Sequence, residues 1–119
     1  MLNTNLQHIE DDKTFGQVLA DNENVMLCCG REGPMCLPVY DAMEKLERKY
    51  EHVAFRDMSF DGPAAHNIKS LPEVQRFTGL PFTMYFHKGK VVAATTSIQN
   101  KKQIRSILDQ AFGSAVKAA

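Results

Sequence analysis

The sequence predicts an α/β domain in which a mixed sheet of about four strands carries helices on both faces. Three observations lead to it. Residues 25–29, Val-Met-Leu-Cys-Cys, form a short apolar run bounded by Asn24 and Gly30, which suits a strand buried on both faces. Next, Cys36, Val39, Tyr40, Met43, Leu46 and Tyr50 fall on one helical stripe, with Asp41, Glu44, Lys45 and Lys49 opposite. Finally, residues 82–86 and 90–95 are strand-like runs around His87-Lys88-Gly89, a hairpin signal with glycine in the turn.

The remaining elements follow in order. Asp11 or Asp12 can cap a short helix in which Phe15, Val18 and Leu19 recur at three-to-four spacing, ending at the polar residues 21–24. Residues 53–60 alternate well enough for a second strand, with Val53, Phe55 and Asp57 on one face. Residues 62–78 read as a connection with short helical pieces broken at Pro63 and Pro72. Asn100 can cap a last helix whose apolar face is Ile104, Ile107, Leu108, Ala111 and Phe112. The strand, helix, strand order implies a parallel crossover, and the hairpin an antiparallel pair. Met26, Met43, Met58 and Met84 fall at apolar positions and read as core.

The 119 residues, 44% hydrophobic and 24% charged, fit one globular domain spanning 1–119, with a small-residue tail at 113–119 that is expected to fray. Fourteen basic residues balance fourteen acidic ones, so the field that would draw nucleic acid or an anionic membrane is absent. No apolar run is long enough to span a bilayer, and the polar start, Met1-Leu2-Asn3-Thr4-Asn5, lacks the parts of a signal peptide. The expected setting is therefore the cytoplasm, and the expected state a monomer. There, Cys28, Cys29 and Cys36 cannot serve as a structural disulfide framework. His8, His52, His66 and His87 are scattered over separate elements, which argues against a metal site, and nothing calls for a cofactor.

Three segments have a counterpart in a known family. They are Gly33-Pro34-Met35-Cys36 leading into the long helix, Gly79-Leu80-Pro81 before residues 82–86, and residues 87–92 followed by the closing helix. In this order they resemble thioredoxin, and the resemblance covers about residues 12–112. It implies the thioredoxin fold and a cis Leu80-Pro81 bond beside the active cysteines, where the backbone before the proline pairs with an extended substrate. It also implies disulfide exchange with protein substrates, supported by a reductase. The departures are specific. The family's usual two cysteines fall on Gly33 and Cys36, so only the second is present. The family's buried acid falls on Leu27 and its accompanying lysine on Asp57, and the chain has no tryptophan.

A dithiol reductase needs an attacking thiolate, a second thiol to resolve the mixed disulfide, and a local field that lowers the first pKa. Cys36 lies in the first turn of a helix, where free N–H groups favour an anion. Cys29 lies at the carboxyl end of the first strand, where open α/β sheets place working groups. Closing Cys29 to Cys36 stabilises by about 2.5 kcal/mol in the absence of strain. The leading expectation is a Cys29/Cys36 redox pair, with Leu80 and Pro81 binding substrate and Arg31, Pro34 and Asp57 as modulators. Family order implies that Cys29 attacks and Cys36 resolves. Gly30 and Gly33 would give the loop the freedom to lift Cys29 to the surface. Two alternatives stand beside it: Cys29 is core filler and only Cys36 reacts, or Cys28 serves instead of Cys29. At the level of function, the alternative is a redox-inactive or single-thiol binding module that uses the Pro81 groove.

Overall fold

The computed structural model describes residues 3–114, so Met1, Leu2 and the outer part of the expected frayed tail lie outside the described residues. Its elements run β1 (Gln7–His8), α1 (Asp12–Asp21), β2 (Asn24–Gly30), α2 (Leu37–Glu47), β3 (Ala54–Ser59), α3 (His66–Lys69), a 3-10 turn at Pro72–Val74, β4 (Phe82–His87), β5 (Lys90–Thr96) and α4 (Lys101–Phe112). The sheet has five strands, in the order β1-β3-β2-β4-β5. The strand beyond the expected four is β1, whose two residues are too few to show a period. β2 runs parallel to β3 and antiparallel to β4, and β4 and β5 form the expected antiparallel hairpin.

Local chemistry accounts for the element ends. The Asp11 carboxylate accepts the Thr14 N–H at 2.7 Å and caps α1. Asn100 and Gln103 form a reciprocal capping box at the start of α4. Lys88 and Gly89 both have positive φ (53° and 82°), the requirement of a two-residue hairpin turn whose twist matches its strands. The expected helical pieces of residues 62–78 appear as α3 and the 3-10 turn.

Because β2 is central, nearly all its side chains are buried, and alternation sends them into two separate cores. On one face Met26 and Cys28 pack with Cys36, Val39, Tyr40, Met43 and Leu46 from the α2 side, with Phe55 and Tyr85 of the sheet, and with Ile104 and Leu108 of α4. On the other face Val25, Leu27 and Cys29 pack with Val18 of α1, Ile68 of α3, Met58, Phe82 and Met84. The four methionines expected in the core are all buried. Among the described residues no helix is long and apolar enough to cross a membrane.

Leu46, fully buried in the α2 core, should cost about 2–5 kcal/mol of unfolding free energy when changed to Ala, as cavity-forming substitutions do. Asn100→Ala should cost only about 1 kcal/mol, the usual value of a lost cap. Urea unfolding of both variants checks the contrast, and a cap variant as damaging as the core variant would contradict it.

Candidate active site

Cys36 is the N-cap residue of α2, and the turn that delivers it is closed by bonds from its own N–H and that of Leu37 to the Gly33 carbonyl, both at 3.0 Å. Pro38 in the first turn favours helix start because it lacks the N–H that would go unpaired there. No side chain caps the helix at this position, so the positive end of α2 is open to the sulfur. The Cys36 Sγ also lies 3.4 Å from the Arg31 backbone N–H, in donor geometry. The residue itself is only 2% exposed, whereas its neighbours Met35 and Leu37 are 44% and 48% exposed. The sulfur thus sits just under an apolar rim.

Gly30 fixes what lies beneath that sulfur. A Cβ at this position would fall 2.8 Å from Cys36 Sγ, 2.8 Å from the Tyr40 hydroxyl and 3.0 Å from Pro81 Cβ. Its role is close approach. The expected conformational freedom is not used: Gly30 continues β2, and Cys29 is not lifted to the surface but stays buried within the strand. The Leu80-Pro81 bond is cis, and Pro81 is buried against this cluster while Leu80 remains half-buried. Pro34 is exposed in the turn before Cys36.

All three thiols are free. Cys29 and Cys36, the expected pair, lie in opposite cores: Cys29 is packed on the α1 and α3 face and Cys36 on the α2 face. The alternation that separates Cys28 from Cys29 is as expected, but it is Cys28 that shares a face with Cys36. The sequence could not reveal on which face α2 would lie. Burial pushes the Cys29 thiol up to about 12, only partly relieved by Lys69, and raises that of Cys28 still more decisively. The Arg31 guanidinium is committed to Asp61 at 2.7 and 2.8 Å and rests 5.1 Å from the Phe60 ring centre, so its backbone N–H, rather than its charge, is what meets Cys36.

Register reveals a feature that motif reading missed. On the α2 face, one polar row crosses all five strands: His8 opposite Asp57, Asp57 opposite Cys28, Cys28 opposite Thr83, and Thr83 opposite Thr95. The Thr83 hydroxyl points to Cys28 Sγ at 3.9 Å, and buried Asp57 accepts bonds from Thr4 and from His8 Nδ1, each at 2.5 Å. Desolvation raises the Asp57 pKa, with the bonds from Thr4 and His8 acting in the other direction. A cavity of about 480 Å³, lined by His8, Asp57, Ser59, Asp61 and Pro63 among others, opens beside the pair. The Tyr40 hydroxyl, beside Gly30, has no hydrogen-bond partner among the described residues.

No protein-family model matches the chain, and no curated protein matches it by sequence. Solved structures do. The thioredoxin of Plasmodium falciparum superposes with a TM-score of 0.74 at 17% identity, over 89% of this chain and 99% of that one. Its oxidised solution structure gives 0.71 at 14%, over 88% and 96%. A point mutant of the thioredoxin of Halobacterium salinarum gives 0.75 at 16%, over 98% and 100%. The fold is the thioredoxin fold.

Two predictions follow from the geometry. Gly30→Ala should destabilise by about 1–3 kcal/mol through overpacking and should change the alkylation rate of Cys36, whose sulfur must move; an alanine variant with unaltered stability and rate would refute the close-approach role. For Asp57, the raised folded pKa means the native state binds the proton more tightly than the unfolded chain. Its stabilising contribution is therefore full below 3.8 and is lost as pH rises through the folded value. Urea titrations of wild type and Asp57→Asn at several acid pH values should show wild type losing stability relative to the variant as pH rises across that window.

Proposed function

We propose that this protein is a thiol-disulfide oxidoreductase that exchanges disulfides with protein partners, with Cys36 as the thiol that meets the partner. The observation that carries this reading is the setting of Cys36 Sγ: at the open amino end of α2, within reach of the Arg31 N–H, beside cis Pro81 and under the exposed Met35 and Leu37. A helix terminus and a backbone donor both stabilise a thiolate. Leu80, half-buried just before the cis proline, offers backbone groups beside Cys36 that a partner strand can pair with. In the first step the Cys36 thiolate attacks one sulfur of the partner's disulfide. A mixed disulfide forms and the partner's other sulfur leaves as thiolate. The second thiol comes from the Cys28-Cys29 pair on β2. A reductase restores the dithiol, and the setting this chemistry fits is the reducing cytoplasm.

A second reading, a single-thiol or redox-inactive binding module built on the Pro81 groove, draws support from Gly33, which occupies the place of a second loop cysteine and has open space around it. Catalysis separates the two. With dithiothreitol as electron source, wild type should accelerate reduction of the insulin disulfides and Cys36→Ser should fall to the uncatalysed rate; a wild type that gives no acceleration overturns the oxidoreductase reading.

Reactivity gives an independent check. At pH 8 a thiol of pKa about 12 is ionised to only about one part in ten thousand, so Cys29, and Cys28 with it, should be silent. Iodoacetamide should label Cys36 alone in native protein and all three cysteines after unfolding in guanidinium. Native labelling of Cys29 in preference to Cys36 would move the reacting thiol to β2.

A further inference from the structure

We propose that Cys28, the β2 thiol on the α2 face of the sheet, is the thiol that resolves the mixed disulfide on Cys36, so that the oxidised protein carries a Cys28–Cys36 bond. The proposal rests on the disulfide-exchange reading above and assigns its second half.

The sheet decides between the candidates. Cys29 would have to bring its sulfur from the α1 and α3 core through the sheet to the other face, whereas Cys28 and Cys36 already belong to one packed cluster under α2. Cys28 and Gly30 are two residues apart on β2 and share that face, so their Cα atoms are about 6.6 Å apart along the strand. Cys36 Sγ lies 2.8 Å from the point where a Gly30 Cβ would be. The sulfur of Cys36 is therefore one strand repeat from Cys28, and no side chain at Gly30 stands between. Two cysteines join when their Cα atoms are about 4.4–6.8 Å apart, so bridging the pair requires the α2 start to approach β2 over the side-chain-free Gly30.

The surroundings of Cys28 also suit a thiol that waits. It is fully buried and so stays protonated until a target sulfur is placed beside it. Asp57 stands opposite it on β3 and faces the same side of the sheet, while Thr83 stands opposite on β4 with its hydroxyl toward the sulfur. In the resolving step Cys28 gives its proton to the Asp57 carboxylate. Its thiolate attacks Cys36 Sγ, the bond from Cys36 to the partner breaks, and the partner's second sulfur leaves as thiolate. The two protein thiols are oxidised and the partner's disulfide is reduced, with two electrons passing. The released thiolates take protons from solvent, and Asp57 returns its own through the cavity beside His8, which is 22% exposed.

Reduced wild type, Cys28→Ser and Cys29→Ser are exposed to glutathione disulfide at neutral pH, quenched in acid and weighed intact. Wild type and Cys29→Ser should end two hydrogens lighter, with the glutathionyl group taken up and expelled. Cys28→Ser should stall with one glutathionyl group on Cys36. The reverse result, Cys29→Ser stalled and Cys28→Ser closed, overturns the assignment, as does a wild type that holds the glutathionyl group without closing. That last result leaves exchange at Cys36 standing. A wild type that takes up no glutathione and forms no bridge refutes exchange at Cys36 itself. Should Cys28→Ser fail to fold, fragmentation of the bridged wild-type peptide between Cys28 and Cys29 assigns the bond: a bridge on Cys28 supports the proposal and one on Cys29 overturns it.

Discussion

A central strand with no side facing water constrains most of this structure. β2 is flanked by β3 and β4 and covered by α2 and α4 on one face and by α1 and α3 on the other. Every side chain on it must choose a core, and consecutive residues must choose differently. The adjacency of Cys28 and Cys29 in the chain therefore becomes separation in space. Chemistry gathers at Gly30 because the strand ends there, at the carboxyl edge where an α/β sheet opens to solvent, and because a residue without a side chain lets helix, strand and proline converge.

The α2 face is expensive in polar terms. Asp57 is a buried carboxylate on a face built mostly of apolar side chains, and an ionised group in such a place is tolerated only when hydrogen-bonded. The segment before α1 supplies the bonds, Thr4 from its loop and His8 from β1, which ties the two-residue strand to the sheet. The hydroxyls of Tyr40, Tyr85 and Thr95 lack protein partners among the described residues and lie on that same face. A core selected for stability alone would place Phe at the two tyrosines. Asp57 and Thr83, the buried polar residues among those described, both lie on this face and neither in the opposite core.

Much of this could be read from the chain. The apolar stripe from Cys36 to Leu46, the caps at Asp11 and Asn100 and the Lys88-Gly89 turn are local signals, and each stands where its chemistry put it. The shared face of Phe55 and Asp57 and the opposition of Cys28 to Cys29 follow from period two. What could not be read was which face receives which helix, since alternation gives parity but not sign; the Cys29 expectation failed to meet Cys36 for that reason. β1 was illegible because two residues have no period, and with it went His8 as a partner of Asp57. Tyr40 was visible only as one more apolar position, although its hydroxyl sits at the site.

The outer edge of the sheet is irregular in a way that matters beyond the site. Between Tyr85 and Phe86 the pairing of β4 with β5 slips, with Phe86 opposite Val91 and Tyr85 opposite Ala93. Val92 is thus the extra residue of a bulge, which explains how a large apolar side chain comes to be 48% exposed on a strand. A bulge bends its strand and interrupts the row of free backbone groups, and exposed Lys90 adds a charge at the entry of the same strand. A second chain laid along β5 would find no unbroken ladder to copy, the kind of irregularity by which sheet edges discourage further pairing.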